Sequence, residues 1–249
     1  MTKHEMMSIV QSQLAIDLNC TTDDLNGEKD SLIFSEIRNN PGRRPLPRGE
    51  QHFEMLSMGK AIVISATPVI LNLVKPLLIG KERDEAFEMP FVYGHSLFYL
   101  PDLDLINPLA APTGFSYDMV EADDIPALYQ FEGFHHAIQY DSNHPRPDVL
   151  VTLAKKDGKI AGIAGASFDC AKMWQIGMDV LPEYRNKGIA VYLVNWLTLE
   201  IMKRGMVPYY GTASSNIASQ RVAHRAGYYP AWMCAYKGKF DGFELLPTS

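Results

Sequence analysis

The six residues Arg185-Asn186-Lys187-Gly188-Ile189-Ala190 have the types and spacing to hold an anion. They follow the apolar-rich run "WQIGMDV" and precede the apolar-periodic run "VYLVNWLTLEIMKR", so they fall where a strand gives way to a helix. The first turn of a helix leaves backbone N–H groups unpaired, and the helix dipole adds partial positive charge there. An anion is welcome at that end. Gly188 supplies the room for backbone N–H groups to wrap a phosphate, and Ala190 lets the helix pack closely. Arg185 and Lys187 add charge and donors. This chemistry suits a pyrophosphate. No Gly-Lys-Ser/Thr follows and no GxGxxG is present, which separates the stretch from the common nucleotide loops. Taken alone, the hexapeptide also reads as a solvated strand-to-helix turn.

Its neighbours narrow the choice. "MDVLPEYRNKGIAVYLVNWLTLEIMKRG" resembles the acetyl-CoA-binding signature of the GNAT superfamily of N-acetyltransferases, a strand ending in Val-x-Pro, then Arg-x-x-Gly-x-Gly/Ala, then a long helix. "NIASQRVAHRAGYYPA" resembles the element that follows in that family, through Asn216, Ser219, Gly227 and Tyr228. The resemblance covers the chain from about position 113 to 240. It implies an acetyl-CoA cofactor. Arg185, Asn186, Lys187, Gly188, Ile189 and Ala190 would then hold the pyrophosphate. Met178, Asp179 and Val180 would present free strand backbone to the pantetheine arm and the thioester, with Asn216 and Ser219 beside it. The implied reaction is direct transfer of the acetyl group to a primary amine, with a small molecule as acceptor.

One departure matters. Many members place a tyrosine in the helix after the asparagine, where it protonates the leaving thiolate. Here that position is Ala223, with His224 and Tyr228 at other angles on the helix. Tyr228 is the expected proton donor, although it also occupies the family's Gly-aromatic core position. A general base must take a proton from the acceptor's ammonium group. Glu132 is the expected base, with His135, His136 and Asp179 as further candidates. His135, His136 and His144 lack an i, i+4 pair and a carboxylate cluster, so no metal site is expected. Tyr209 and Tyr210 are candidates to line the acceptor groove. The alternative reading of Ala223 is a weak or inactive GNAT-like module that binds acyl-CoA as a sensor or interaction domain.

The elements that must position these residues follow from periodicity. Phe115 to Met119 reads as a strand. "EADDIPALYQFEGFHHAI" reads as a helix with Pro126 in its first turn. Asp157-Gly158 between two apolar runs signals a hairpin. A strand over Met173 to Val180, a helix over Gly188 to Arg204, a strand over Tyr209 to Ala213, a helix over Asn216 to Ala226 and a strand around Ala231 to Lys237 complete the half. Upstream, helices are expected over Met6 to Leu18 and Pro68 to Leu78. Strands are expected over Ser31 to Ile37, Lys60 to Ser65 and within "VYGHSLFYLP". The proline-rich "LPDLDLINPLAAPTG" suggests a boundary near residue 110. The expected fold is α+β: a smaller N-terminal α+β domain (1–110) of unknown role, then a GNAT-type mixed sheet flanked by helices (111–249). In "RNNPGRRPLPRGEQ", Arg43, Arg44 and Arg48 are read either as solvated or as anion contacts.

The whole chain sets outer bounds. Its 249 residues suit one large or two modest domains, and 47% hydrophobic with 21% charged residues is ordinary globular composition. A net charge of -6 argues against a general nucleic-acid partner. Cys20, Cys170 and Cys234 are scattered, odd in number and without CxxC spacing, which suggests a reducing, cytoplasmic setting. The N-terminal stretch lacks the apolar core of a signal peptide. "AIVISATPVILNLVKPLLIG" is broken by Pro68, Asn72, Lys75 and Pro76, short of the ~20 apolar residues of a membrane span. A membrane partner is therefore not expected, and a homodimer is left open.

Overall fold

The structure, a computed structural model, describes residues 1–45 and 52–235. The chain divides into two compact units, one of Met1–Val10 with Phe98–Ala231, the other of Gln11–Leu97 with the segment from Trp232 onward. The helix α1 (Lys3–Leu18) starts in the first unit and ends in the second.

The unit containing Gln11–Leu97 holds α2 (Thr22–Leu25), β1 (Leu32–Glu36), β2 (Phe53–Ser57), β3 (Ile62–Ala66), α3 (Pro68–Leu78) and α4 (Arg83–Phe87). β3 is the central strand, parallel to β1 and antiparallel to β2, and all five of its residues are buried. A strand covered on both faces loses the polar alternation of a half-exposed one. In α3, Ile70, Val74 and Leu78 recur every four residues and pack with Phe53, Met55, Ile62 and Ile64. Pro68 sits at the start of α3, where its missing N–H removes nothing. The short helices α2 and α4 carry no apolar period and were not expected; each is set by a capping box, Thr21 with Asp24 and Glu82 with Glu85. Arg44 is neither solvated nor a free anion contact. It pairs with Asp17 at 2.6 Å, while Arg43 Nε donates to the Asp17 carbonyl at 3.0 Å. Arg48 lies outside the described residues.

The other unit carries the candidate site. β4 (His95–Pro101) enters it at Phe98 and is followed by β5 (Ser116–Glu121), a 3-10 helix (Ala122–Gln130), β6 (Asp148–Lys156), β7 (Lys159–Phe168) and β8 (Met173–Val180). A short 3-10 turn (Pro182–Tyr184), α5 (Ile189–Lys203), β9 (Val207–Ala213), α6 (Ile217–Arg225) and the first half of β10 (Tyr228–Ala235), up to Ala231, complete it. The strand order is β4-β9-β8-β7-β6-β5. β5 to β8 form an antiparallel meander, and β8 and β9 are parallel across the α5 crossover. The β6–β7 hairpin turns at Asp157 (φ 50°) and Gly158 (φ 78°), the left-handed pair that matches strand twist. α5 lays Leu193, Val194, Leu197 and Ile201 against the sheet at helical spacing. The mixed α+β sheet with flanking helices expected from sequence is the one observed.

One expected helix is shorter and of another type. Ala122–Gln130 is a 3-10 helix, and residues 131–140 form an irregular arch beyond it. Pro126 removes a donor inside the segment, and Gly133 takes a φ of 95°, which a helix cannot accommodate. Glu132, His135 and His136 therefore stand on the arch and not on a helix. The last strand begins at Tyr228, earlier than expected, and its expected continuation past Ala235 lies outside the described residues.

Candidate active site

The site is organised by the parting of two strands. β8 and β9 are paired from Met173↔Val207 to Ile176↔Tyr210 and no further. Both strands continue, β8 to Val180 and β9 to Ala213. The edge of β8 over Gly177, Met178, Asp179 and Val180 thus faces away from any β9 partner, while its other edge stays bound to β7 through Gly162↔Val180. Parallel strands that part in this way leave backbone donors and acceptors open between them.

At the end of β8 the chain turns through Pro182–Tyr184 into the loop 185–188. Asn186 (φ 61°) and Gly188 (φ 80°) are left-handed on either side of Lys187, and Arg185 ahead of them is extended (φ −64°, ψ 163°). Gly188 caps α5 without a side-chain hydrogen bond. The first α5 amide to find a backbone acceptor is Tyr192, bonded to the Gly188 carbonyl at 3.1 Å. Arg185 donates from Nε to the Val180 carbonyl at 3.0 Å, which ties the loop to β8. Lys187 is exposed, its ammonium 5.4 Å from the Tyr184 ring centroid and 6.0 Å from that of Phe115. Ile189 is buried under the turn and Ala190 is half-buried.

On the α6 side, Asn216 caps the helix by accepting from the Ser219 amide at 3.1 Å. The Ser219 hydroxyl lies 2.6 Å from that of Tyr210, the last residue of β9 still paired with β8. Burial pushes the Tyr210 phenol above its ordinary range. Ala223 is fully buried and offers no hydroxyl. Tyr228 is 3% exposed, and its hydroxyl meets Thr198 of α5 at 2.6 Å, inside the packing. Burial raises its phenol as well. The sequence therefore brings Tyr210, Ser219 and Asn216 together at the mouth of the opening, with Tyr228 behind Tyr210 at a ring separation of 6.3 Å.

The opposite face of β8 carries the arch. The Asp179 carboxylate accepts from the His136 amide (2.7 Å) and the Ala137 amide (3.1 Å) and meets His136 Nδ1 at 2.9 Å. Its side chain thus anchors the arch while its backbone lies at the strand opening. Tyr140 closes the arch from within, donating to the Phe131 carbonyl and accepting from the Phe134 amide. Gly165 and Gly177 are required for this fit. A methyl group on Gly165 would collide with the Ala137 carbonyl, and one on Gly177 with that of His136. Glu132 is exposed on the arch, and the His136 side chain is 84% exposed beside Asp179.

Just before the opening, a buried polar network crosses this face. Asp169 accepts from Ser167 (2.7 Å), Arg146 (3.2 Å) and Tyr209. Gln175 Oε1 accepts from Arg146 (3.3 Å) and Tyr209 (3.3 Å). Arg146, Asp169 and Gln175 were not singled out from sequence. They are scattered over three segments, and the only local signal is the rigid "HPRPD", which holds Arg146 between two prolines. Among the described residues no cluster of His, Cys, Asp and Glu could hold a metal ion, and no helix is long and apolar enough to cross a membrane.

Residues 117–228 match the Acetyltransferase (GNAT) family. No curated protein matches the sequence. Among solved structures, the chain is similar to a GNAT-family acetyltransferase from Colwellia psychrerythraea, at 22% identity over 58% of this chain and 56% of that one, with a TM-score of 0.45. It is similar to a GNAT-family protein of Novosphingobium aromaticivorans at 21% identity, over 57% of this chain and 63% of that one, with a TM-score of 0.44. A GCN5-related N-acetyltransferase from Kribbella flavida shares 16% identity over 61% of this chain and 60% of its own, with a TM-score of 0.46. The chain thus spans less than two thirds of the length of each of these proteins. The family match runs from β5 to the first residue of β10 and takes in the parted strands, the turn, α5 and α6, so residues 117–228 are a domain of the GNAT acetyltransferase family.

Proposed function

We propose that the chain is an acetyl-CoA-dependent N-acetyltransferase that moves an acetyl group directly to a primary amine of a small molecule. The observation that carries this reading is the parting of β8 and β9 after Ile176↔Tyr210, next to a turn whose amides from 186 to 190 have no backbone acceptor among the described residues. An elongated ligand with a phosphate at one end fits that arrangement. The N–H groups of residues 186–190 would hold a pyrophosphate, with Arg185 and Lys187 adding charge. The backbone of Met178, Asp179 and Val180 would bind the pantetheine arm, and Asn216 and Ser219 would flank it from α6. When bound, acetyl-CoA would supply a thioester whose acetyl carbon is open to attack by nitrogen.

The chain's own groups then have two proton tasks. On the arch, His136 has Nδ1 fixed by Asp179, leaving Nε2 to take a proton from the acceptor's ammonium group; Glu132 stands on the same arch as the second candidate. On the α6 side, Tyr210 Oη and Ser219 Oγ share a proton at the mouth of the opening and can pass it to the departing sulfur. Tyr228 would support Tyr210 from behind and hold its own proton on Thr198. Free backbone N–H groups at the opening would stabilise charge on the acetyl oxygen without reorganising. Three dispersed free thiols suit a reducing compartment, the cytoplasm.

Release of free thiol from acetyl-CoA, followed against a panel of amines, tests the reading. Amine-dependent release is expected; tight cofactor binding with no release for any amine sinks it. That second result would favour an acyl-CoA-binding module without turnover, the reading that Ala223 supports by leaving α6 without a hydroxyl at that position.

A further inference from the structure

The network before the strand opening is built to hold one arginine by one edge. Asp169 is buried, with its side chain 1% exposed, and it is already satisfied by Ser167 and Tyr209 before Arg146 reaches it. Arg146 contributes only Nη1 to Asp169 and Gln175. Among the described residues its Nε and Nη2 make no hydrogen bond, and its side chain is 37% exposed. A guanidinium held in this way is a preorganised fork for a second, planar anion. Gln175 is fixed in the same sense. Its Oε1 faces two donors, so its Nε2 turns toward Gly211 and stands 3.3 Å from where a Cβ there would lie.

The location gives this fork its meaning. Gln175↔Tyr209 is the pair next to Ile176↔Tyr210, where β8 and β9 part. Gln175 and Gly177 lie on one face of β8, about 7 Å apart along the strand. On that face the arch lies directly over Gly177, where a Cβ would meet the His136 carbonyl, and the Phe98 ring lies over Gly211, so what the face offers an incoming group is the exposed edge of Arg146 beside Gln175. A molecule placing its amine at the opening would lie one residue pair from Gln175, which Arg146 contacts through Nη1.

We propose that the acceptor is an amine that also carries a carboxylate, a small amino acid, and that Arg146 with Gln175 Nε2 reads that carboxylate. The inference rests on the reading of the opening as the place of acetyl transfer. Asp169 and Tyr209 act through Arg146 and are positioning residues. A charge-assisted, two-point contact contributes about 10- to 100-fold in recognition.

The test has two arms on the full chain. In the first, the Arg146 Nε–H signal is followed by 15N NMR while a mixture of the twenty protein amino acids is titrated in, and then the matching mixture of their decarboxylated amines. A shift with the amino acids and none with the amines is expected; no shift with the amino acids overturns the proposal, whatever the turnover. In the second, thiol release compares phenylalanine with phenethylamine and lysine with cadaverine. Wild type should favour the carboxylated member about 10-fold or more in kcat/KM, and Arg146→Gln should collapse that ratio. Arg146→Lys, which keeps a cation beside Asp169, guards against misfolding and should also lose the preference, because an ammonium lacks the fork. Equal use of both members by wild type overturns the proposal. Acetyl-CoA binding, measured by calorimetry, reports separately on the transferase reading.

Discussion

Along β8, Ile176, Met178 and Val180 alternate onto the side of α5 and α6, whereas Gln175, Gly177 and Asp179 alternate onto the side of the arch. The first side offers an incoming molecule mainly backbone: an opened strand edge, a turn with left-handed residues at 186 and 188, and the start of a helix. The second offers side chains from distant segments: Asp179 under the arch, and Arg146, Asp169, Gln175 and Tyr209 in one network. A backbone site recognises what all cofactors of one kind share. A side-chain network can be rebuilt substitution by substitution, and on the proposed reading it is where the acceptor is chosen. The two sides should therefore fail differently when mutated.

The largest effect is expected at Gly188→Glu. The residue has a φ of 80°, so a side chain is strained there, and the new carboxylate would stand among the amides proposed to hold phosphate. A Cβ would meet only Pro112, at 3.5 Å, so the fold has room to survive. Acetyl-CoA affinity should drop about 100-fold or more by calorimetry, while binding of the acceptor to the free protein is retained. Unchanged cofactor affinity would mean that the turn is a solvated one after all.

Asp179→Ala addresses the other side of the same strand. It removes the acceptor for two amides and an imidazole, at a cost of about 2–4 kcal/mol in denaturant unfolding. The kcat/KM for amine should fall steeply, since the arch and His136 lose their anchor. Cofactor affinity should hold, because only the backbone of Asp179 faces the opening. Equal losses in both would erase the distinction between the faces.

Tyr210→Phe should lower kcat about 10- to 100-fold with little change in cofactor affinity. Tyr228→Phe should instead cost about 1 kcal/mol in stability through the lost Thr198 contact and change kcat little. Because burial raises the Tyr210 phenol, its proton stays in place beyond the ordinary tyrosine range. The alkaline fall of kcat should then lie above about pH 10 in wild type and be absent in the phenylalanine variant. A wild-type fall below pH 9 would point to a different donor.

What was legible in the sequence follows the same division. Asp157-Gly158, the strand Met173–Val180, the start of α5 next to Gly188 and the stripe of α5 are local patterns, and each appears where periodicity and turn chemistry place it. The arch differs from the helix that its sequence predicts because Ile125 and Leu128 keep helical spacing, while Pro126 and Gly133 decide the backbone. Arg44 looked like a loop arginine until folding brought Asp17, 27 positions away, against it. Arg146, Asp169 and Gln175 carry no shared local pattern, and only the β7–β8–β9 register assembles them. Tyr228 invited a catalytic reading by type, yet the partner of its hydroxyl, Thr198, is 30 positions distant. The backbone-built side can be read from adjacent residues; the side-chain side depends on contacts that no short window contains.

The smallest effect is expected at Lys187, and it bears on how far backbone outweighs charge on the cofactor side. Lys187 is exposed and makes no ion pair among the described residues, resting near the rings of Phe115 and Tyr184. A solvent-facing ammonium acts on a phosphate through water and is screened within about 8–10 Å at ordinary salt. Lys187→Ala should therefore weaken acetyl-CoA binding about 3- to 10-fold at low salt, and the difference should shrink toward nothing at about 0.5 M salt. The Gly188→Glu loss should persist, because much of it comes from strain and from a carboxylate held at contact with the amides. If Lys187→Ala proved the more damaging of the two at either salt, the cofactor would be held by side-chain charge. The contrast between the faces of β8 would then lie in which side chains are used, and not in backbone against side chain.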